Sequence, residues 1–556
     1  MRKNIILVAY VSLLLLVPNQ NLILGNKMTE SIIAQTNNTY GTSIDMPLEM
    51  IISRRMSIRN FDLTIIVPPE LVSKVLWAAY GSSWTGRTVP SFSNYPIVIY
   101  VSNETATYKF FPENQSFTLW KDGDHRRFGG SWNIEAPTQL YIVLDTNICP
   151  DMLWGSAESG CIIQNIYLIA NALNLGTVCQ HPNKTDIDQG LGLPLNEKSL
   201  YKMPLGYPLS PYTDYQHLVL TNRQSSPELP EIQDSNIPFE DALNSVFRSH
   251  EWSENPITKQ ELSQILWVSY GYSYYEDTAA SPPKRHRTVP SAHAYYPMKV
   301  YATNSSGVYE YLPEQHTITK INAGDRRSSI AQSSGNPWAS SAPFIFVIAY
   351  IEDTRPWIGG QDTYTEIGLI TQNIYLESAA CGLIADWGKA DTDEEAMKEA
   401  LGVTGETELH PVSIITIGHP STYLHKVEWD ETIYQIETNT NSTILNFQFD
   451  QPNRRISFNV SGPSETQGFC NVTIPNSLLW GDFTMLIDGN PETTLKQNNN
   501  STHTSLHFTY EILNTLNVQI ISEYVIPEFR AWTPTLILMV LMFTLIIHKR
   551  KNSKNS

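Results

Sequence analysis

The sequence has few cysteines and fewer basic than acidic residues. Its 556 residues include five cysteines, which allow at most two disulfides and leave one thiol over. Lysine and arginine number 37 against 55 for aspartate and glutamate, a formal net charge of −18. A nucleic-acid partner would need a basic face, so this balance argues against one. The spacing of Cys149, Cys161 and Cys179 does not define a pair, and we expect Cys161 to be a buried free thiol.

Several catalytic signatures are also missing. The chain shows no Ser/His/Asp set, no zinc-ligand spacing and no phosphate-binding Walker loop. His286 and His293 lie close together, but a histidine pair in a loop is more often incidental than a metal site. We therefore predict no metal and assign no catalytic side chain.

What the sequence does have is a repeated helix. The segment Glu158–Leu168, ESGCIIQNIYL, recurs as Glu366–Leu376, EIGLITQNIYL. Apolar residues recur at helical intervals in both copies, which indicates a largely buried helix. A repeated Glu-x-Gly and Gln-Asn inside such a helix needs a further reason, because buried polar groups must find partners. A carboxylate at the start of a helix is also favoured by the helix dipole, so Glu158 and Glu366 have a structural explanation as well as a functional one.

The duplication extends beyond this helix. Four further segments recur in the same order at a slowly growing offset: Leu76-Trp77 with Leu266-Trp267, Arg87–Ser91 with Arg287–Ser291, Gly123–Arg127 with Gly324–Arg327, and Gly206-Tyr207-Pro208 with Gly418-His419-Pro420. The period is too long for a solenoid and is the size of one domain. We predict two homologous domains, 45–212 and 238–424, with a proline-rich linker at 209–237.

The two ends of the chain suggest a secreted, membrane-anchored protein. Arg2 and Lys3 followed by an apolar run are typical of a signal peptide, here 1–25, although a retained anchor is the alternative. The apolar stretch 531–547, followed by basic residues, predicts a transmembrane helix with the bulk of the chain outside the cell. Several Asn-x-Ser/Thr sequons agree with an external glycoprotein, although each alone is weak.

The coarse secondary structure supports a mixed fold. Helices are expected at Pro47–Ile58, Glu70–Tyr80 and Ser156–Leu175, and strands at Ile97–Val101 and Leu140–Leu144. The second domain repeats this order, with strands at Lys299–Ala302 and Phe344–Ala349. Apolar and polar residues alternate over 426–525, which predicts a small antiparallel β-sandwich used as a spacer or packing surface.

Two stretches could bind a ligand. Arg55-x-Ser57-x-Arg59 places two guanidinium groups and a hydroxyl at a helix end, which is typical of a phosphate clamp; a solvated basic face is the alternative. The loops that begin Pro90-Ser91 and Pro290-Ser291 end at another proline. Such a loop presents backbone N–H groups and hydroxyls to a flat heteroaromatic ligand, or is an ordinary proline-bounded turn.

Taken in order, these motifs resemble the FMN-dependent nitroreductase superfamily, and most closely its SagB-type dehydrogenases, which oxidise azoline rings in modified peptides. The motifs that carry the resemblance are Arg55-x-Ser57-x-Arg59, Leu76-Trp77-Ala78-Ala79-Tyr80-Gly81, Arg287-Thr288-Val289-Pro290-Ser291-Ala292-x-Ala294-x-Tyr296-Pro297, Glu158-x-Gly160, Gln164-Asn165 and Gly206-Tyr207-Pro208. The resemblance covers both repeats, the second more weakly. It implies an α+β fold in which two tandem nitroreductase-like domains form a pseudo-dimer, followed by the β-sandwich and the membrane helix.

The resemblance also implies which residues hold the cofactor, FMN. The phosphate-and-ribityl clamp would come from the first domain and the ring-side loop from the second. The full candidate set is Arg55, Ser57, Arg59, Pro290, Ser291, Ala292, His293, Glu158 and Gly160. The converse site would pair the shorter loop Pro90–Pro96 with Arg248-Ser249-His250-Glu251-Trp252, where a carboxylate would repel phosphate. His293 stands where the family usually has a small residue.

Three functions remain open on the sequence. The first is an FMN-dependent oxidoreductase on the outer face of the cell membrane, transferring hydride through flavin to a small-molecule or peptide substrate. The second is a degenerate, non-catalytic surface binding module of the same fold. The third is an adhesive protein based on the β-sandwich.

Overall fold

The computed structural model describes residues 46–527 except 84–85, 131–132, 210–217, 221–224, 236, 247–248, 254, 278–283, 353–358, 391, 431, 463–465, 493–494 and 513–514. The predicted signal peptide, 1–25, and the predicted membrane helix, 531–547, lie outside these residues.

The expected membrane anchor needs correction. Within the described residues, no helix is long and apolar enough to cross a membrane. The two longest, of 21 residues each, bury carboxylate and amide side chains that pair inside the protein. The described residues therefore give no support to the predicted membrane helix at 531–547 or to the predicted single-pass location in the cell membrane.

The first repeat is one antiparallel sheet with helices packed on it. Its helices are α1 (Leu48–Arg54), α2 (Pro69–Tyr80), α3 (Met152–Ala172) and α4 (Lys184–Leu191). Its strands are β1 (Ser82–Ser83), β2 (Gly86–Arg87), β3 (Ile97–Ser102), β4 (Ala106–Phe111), β5 (Ser116–Asp122), β6 (Thr138–Asp145), β7 (Gly176–Thr177) and β8 (Glu197–Gly206). Strands β3 to β8 form a six-stranded sheet in the order β5-β4-β3-β6-β8-β7.

The second repeat builds the same sheet. Its helices are α5 (Phe239–Ser245), α6 (Lys259–Tyr270), α7 (Arg327–Ser333), α8 (Gly360–Ala380) and α9 (Glu394–Leu401). Its sheet strands are β12 (Met298–Asn304), β13 (Gly307–Leu312), β14 (Thr317–Ala323), β15 (Phe344–Ile351), β16 (Ile384–Lys389) and β17 (Leu409–Gly418), in the order β14-β13-β12-β15-β17-β16. A separate small sheet joins β9 (Leu218–Leu220) to the hairpin β10 (Tyr272–Asp277) and β11 (Lys284–Arg287).

The repeated helices, α3 and α8, start earlier than their apolar pattern suggested. In α3 the Asp151 carboxylate accepts hydrogen bonds from the backbone N–H groups of Leu153 (2.9 Å) and Trp154 (3.3 Å), which caps the helix. The helix therefore begins at Met152, before the expected Ser156. Glu158 consequently lies in the second turn, beyond the free N–H groups of the helix end.

Helices α3 and α8 cross at a pair of glycines and join the two repeats. A Cβ added to Gly160 would overlap the Thr365 carbonyl oxygen, and one added to Gly368 would overlap that of Ala157. The Gln-Asn pairs close the crossing, because Gln164 Nε2 donates to Asn373 Oδ1 at 2.8 Å. Buried apolar residues of both repeats form one continuous core. The predicted internal pseudo-dimer is therefore present in the structure.

The connection between the repeats is partly packed. Leu229 and Ile232 are buried in the common core. Ser263 of α6 donates to the Pro230 carbonyl at 2.6 Å, and Gln264 Nε2 donates to that of Gln233 at 2.9 Å. The described residues from 225 to 235 thus lie against the second repeat.

Residues after Pro420 form two five-stranded antiparallel sheets. The strands are β18 (Thr422–Trp429), β19 (Thr432–Thr440), β20 (Thr443–Asp450), β21 (Arg455–Ser461), β22 (Thr466–Pro475), β23 (Leu479–Ile487), β24 (Asn490–Pro491), β25 (Lys496–Asn499), β26 (His503–Ile512) and β27 (Leu516–Val525). The sheet orders are β18-β19-β22-β26-β25 and β20-β21-β27-β23-β24. Alternate side chains point into a separate apolar core. All five cysteines of the chain are free thiols, and Cys161 is buried as expected.

Candidate functional site

Arg55 extends from the first repeat to the second. It is the C-cap of α1 and only 3% exposed. Its Nη2 donates to the Arg287 carbonyl oxygen at 3.2 Å, and its guanidinium lies 5.5 Å from the centre of the Tyr167 ring. The candidate clamp and the loop after Arg287 therefore meet across the domain interface.

Ser57 is oriented by a tyrosine of the repeated helix. The Tyr167 hydroxyl accepts a hydrogen bond from the Cys179 backbone N–H at 2.7 Å and lies 3.3 Å from Ser57 Oγ. Burial raises the pKa of Tyr167, so the phenol keeps its proton. Either hydroxyl can be the donor in this contact, which holds the Ser57 hydroxyl between Arg55 and Arg59.

Arg59 lies next to Ser57. Its Nη1 donates weakly to the Ser57 carbonyl at 3.4 Å, and the residue is exposed. The intervening Ile58 is pinned to the sheet edge, because its N–H donates to the Thr177 carbonyl at 2.9 Å. Arg55, Ser57 and Arg59 thus form one short donor segment beside the end of β7.

The loop of the second repeat is held from below by Glu366. Its carboxylate accepts from Ser291 Oγ at 2.5 Å and from the Tyr270 hydroxyl at 2.6 Å. Burial raises the pKa of Glu366 to about 7. His293 and Ala294 follow with positive φ angles of 53° and 54°, and both are exposed. The loop therefore presents His293 and Ala294 outward while Ser291 is tied to the helix.

The first repeat anchors its own loop in a different way. Glu158 accepts from Ser91 Oγ at 2.6 Å and from the backbone N–H groups of Phe92 and Ser93, both at 2.9 Å. Gly160, two residues on, lies at the crossing of α3 and α8. The structure thus places these two candidate residues where they support the loop and the domain interface.

The clamp of the second repeat is in a different register from the one the sequence suggested. Helix α5 ends at Ser245 as α1 ends at Arg54, and the bridges Phe61–Pro208 and Trp252–Pro420 occupy matching positions. Buried Val246 therefore stands in the place of Arg55. By the same register His250 matches Arg59, and Arg248, which lies outside the described residues, matches Ser57 rather than Arg55.

Aromatic rings occupy the converse site. Phe92, which matches Ala292, lies 4.1 Å from Trp387 and 5.2 Å from Trp154, between ring centres. Trp387 stands where the first repeat has Cys179, and its indole Nε1 donates to Ser413 Oγ at 2.7 Å. The two crossed sites of this pseudo-dimer are therefore chemically different.

Sequence reasoning missed Tyr167 and Trp387. Tyr167 did carry a signal, because it belongs to the QNIYL segment that both repeats share. Trp387 carried none, since its contact with Phe92 joins residues far apart in the chain.

Comparisons with known proteins agree on one family. The family model described as Nitroreductase matches residues 52–207 and again 250–419. Three proteins, each named as a putative nitroreductase, are similar to the chain. That of Methanocaldococcus jannaschii is 31% identical over 167 residues, which span 28% of this chain and 79% of the relative.

The other two are solved structures. That from Anabaena variabilis superposes with a TM-score of 0.51 at 14% identity, covering 63% of this chain and 88% of its own. That from Desulfovibrio desulfuricans, solved in complex with FMN, covers 33% of this chain and 87% of its own, with a TM-score of 0.25 and 14% identity.

Proposed function

Because the chain belongs to the nitroreductase family, we propose that it is an FMN-dependent oxidoreductase with one flavin site per chain. The site combines the clamp Arg55, Ser57 and Arg59 of the first repeat with the loop Pro290–Pro297 of the second. The observation that carries this proposal is the hydrogen bond from Arg55 to the Arg287 carbonyl, which joins the two parts at 3.2 Å.

The donors at this site fit the phosphate of FMN. Two guanidinium groups and one hydroxyl lie within five residues, and guanidinium groups bind phosphate oxygens through charge-assisted hydrogen bonds. The Ser57 hydroxyl, which contacts Tyr167, adds a short donor for a phosphate oxygen. The small side chain of Ala292 leaves room beside the loop for a flat ring system.

When bound, FMN supplies the hydride-transfer chemistry, so no protein nucleophile is required. The chain's own residues bind the cofactor and orient it. The clamp fixes the phosphate end, and the Glu366–Ser291 bond fixes the loop. The resemblance to SagB-type dehydrogenases suggests a small-molecule or peptide substrate for the oxidised or reduced flavin.

A non-catalytic binding module is the second candidate. The observation that favours it is the loss of the clamp in the second repeat, where Val246 replaces the buried arginine and Phe92 packs on Trp387. This candidate expects no flavin on the purified chain and no binding after reconstitution.

The test is a flavin titration followed by visible absorbance. Each charge-assisted hydrogen bond contributes roughly 1.5–3 kcal/mol, so Arg55→Ala with Arg59→Ala should weaken FMN binding by about two to four powers of ten if the terms add. Stoichiometry should be one FMN per chain.

The matched control is Arg54→Ala. It removes the same charge one residue away, where Arg54 Nη1 contacts Met46 Sδ at 3.5 Å. Its FMN affinity should stay within a few-fold of wild type. Equal affinity in all three proteins would remove the crossed site, and no binding to wild type would favour the non-catalytic module.

A further inference from the structure

A cavity of about 370 Å³ lies at the converse site, between the two repeats. Its size falls in the range of small-molecule pockets. Phe92 contributes from the first repeat. The second repeat contributes the rest of the lining, which includes His250, Asn336, Trp338, Asp386, Trp387 and Lys389.

Flat aromatic side chains form the walls of this cavity. The His250 ring stacks on Trp338 with centres 4.0 Å apart and planes 9° apart. Phe92 lies against Trp387, which is 2% exposed. Preformed aromatic walls of this kind favour a planar, conjugated ligand.

The described lining holds one carboxylate, Asp386, and one ammonium, Lys389. His250 Nε2 pairs with Asp386 Oδ2, and Asp386 Oδ1 also accepts from the Tyr375 hydroxyl at 3.2 Å. The Lys389 ammonium lies 4.8 Å from the centre of the Trp154 ring and 5.5 Å from that of Phe92. Asp386 is thus already hydrogen-bonded to His250 and Tyr375, and Lys389 is the ammonium of the described lining that can meet a ligand anion.

The polar lining is rigid. Asn336 Nδ2 donates to the Lys389 carbonyl at 2.6 Å and to that of Ser334 at 2.8 Å, which ties the lysine's backbone to the opposite wall. Asp386 is 7% exposed and its carboxylate also accepts from the Trp387 N–H at 2.9 Å. A ligand would therefore meet a formed site.

We propose that this cavity binds a planar aromatic carboxylate, with its ring between the aromatic walls and its carboxylate at Lys389. The proposal goes beyond the flavin site and does not depend on it. Val246 stands in the place of Arg55, so the buried guanidinium of the first site has no counterpart here, and one lysine ammonium suits a single carboxylate.

The test uses three probes of one shape: naphthalene-2-carboxylate, naphthalene-2-methanol and naphthalene-2-methylamine. Binding to the full chain is measured by ligand-observed NMR. The carboxylate should bind at least tenfold more tightly than the alcohol, and the amine more weakly still. Lys389→Met should remove the preference for the carboxylate while the alcohol binds as before.

Two variants complete the design. Lys320→Met removes another lysine that lies over a ring, 5.2 Å from the centre of Tyr309, and should change nothing. Trp338→Leu should weaken all three probes, because it removes one wall.

Three outcomes would overturn the proposal. They are equal binding of the three probes, a carboxylate preference that survives Lys389→Met, and displacement of the carboxylate by a second FMN per chain. Failure of FMN to bind at all would contradict the proposed flavin site and would leave this test unaffected.

Discussion

The two crossed sites use the same scaffold with opposite chemistry. Around the first, the matching positions hold Arg55, Cys179 and Ala292, which give a donor-lined opening. Around the second they hold Val246, Trp387 and Phe92, which give an aromatic cavity. In a homodimer every substitution appears at both sites. Fusion of the two copies into one chain lets each site change alone, and the side chains show that this has happened.

The first and largest effect is expected where the two repeats are still equivalent, at the crossing of α3 and α8. Gly160→Ala and Gly368→Ala should each lower the free energy of unfolding by about 3 kcal/mol, since either methyl group would force α3 and α8 apart. Denaturant unfolding measures this. Gly405→Ala is the control, because its Cβ would meet nothing within 4 Å. A substitution tolerated in one helix but not in the other would break the equivalence.

The next prediction transfers a feature from one site to the other. Ala292→Phe should lower FMN affinity about a hundredfold, roughly 2.7 kcal/mol, because the new ring would occupy the space that Phe92 fills opposite. Phe92→Ala is the counterpart and should leave FMN affinity unchanged. Isothermal titration with FMN distinguishes them. Equal loss in both variants would mean that the flavin does not discriminate between the loops.

The pH dependence of the unfolding free energy should differ between the two glutamates that hold the loops, Glu366 and Glu158. Burial raises the pKa of Glu366 from 4.5 to about 7, so its stabilising contribution is complete below about pH 4.5 and is lost as the pH rises to about 7. Glu366→Gln should flatten this decline in unfolding free energy, which at about 1.4 kcal/mol per pKa unit amounts to about 3 kcal/mol.

Glu158→Gln is the matched variant. Burial also raises the pKa of Glu158, but two backbone N–H groups hold its carboxylate, so less flattening is expected. Unfolding in urea at pH 5 to 8 provides the measurement. Parallel curves for wild type and Glu366→Gln would contradict the prediction.

The smallest expected effect concerns two matching arginines. Arg287 lies 4.4–5.1 Å from the centres of three tyrosine rings, and Arg87 lies 5.1–5.3 Å from two. Each such contact contributes roughly 0.5–1 kcal/mol. Arg287→Met should therefore cost about 0.5–1 kcal/mol more unfolding free energy than Arg87→Met. A reversed order would show that the exposed pair of Arg87 with Glu113 carries more weight.

The repeat was predicted from segments that recur in the same order, and the buried Gln-Asn pair in each copy needed a reason. Gln164 and Asn373 now supply that reason, since they bond to each other across the repeats. The nitroreductase assignment is confirmed by the family match over both repeats. Strand β3 was predicted to within one residue, because its apolar pattern is local.

The predictions that failed depend on contacts between residues far apart in the chain or on weak local signals in the sequence. The start of α3 was missed because the cap is one aspartate, Asp151, upstream of the apolar pattern. The register of the second clamp could not be read from Arg248, since only the end of α5 shows that Val246 takes the place of Arg55. The contact of Phe92 with Trp387 has no local signature. The membrane helix was inferred from an apolar stretch and the basic residues that follow it, and the described residues do not support it.

Because the connection between the repeats is packed, the site that the repeats share should persist when the protein is diluted. When a site is shared by separate subunits, it disassembles as the protein is diluted below the dissociation constant of the dimer. Here Arg55 and the Arg287 carbonyl belong to one chain, and Leu229 and Ile232 of the connection are buried in the common core. A tether keeps each half at an effective concentration on the order of millimolar around the other. Occupancy of the shared site will then follow ligand concentration alone, however few copies of the chain are present.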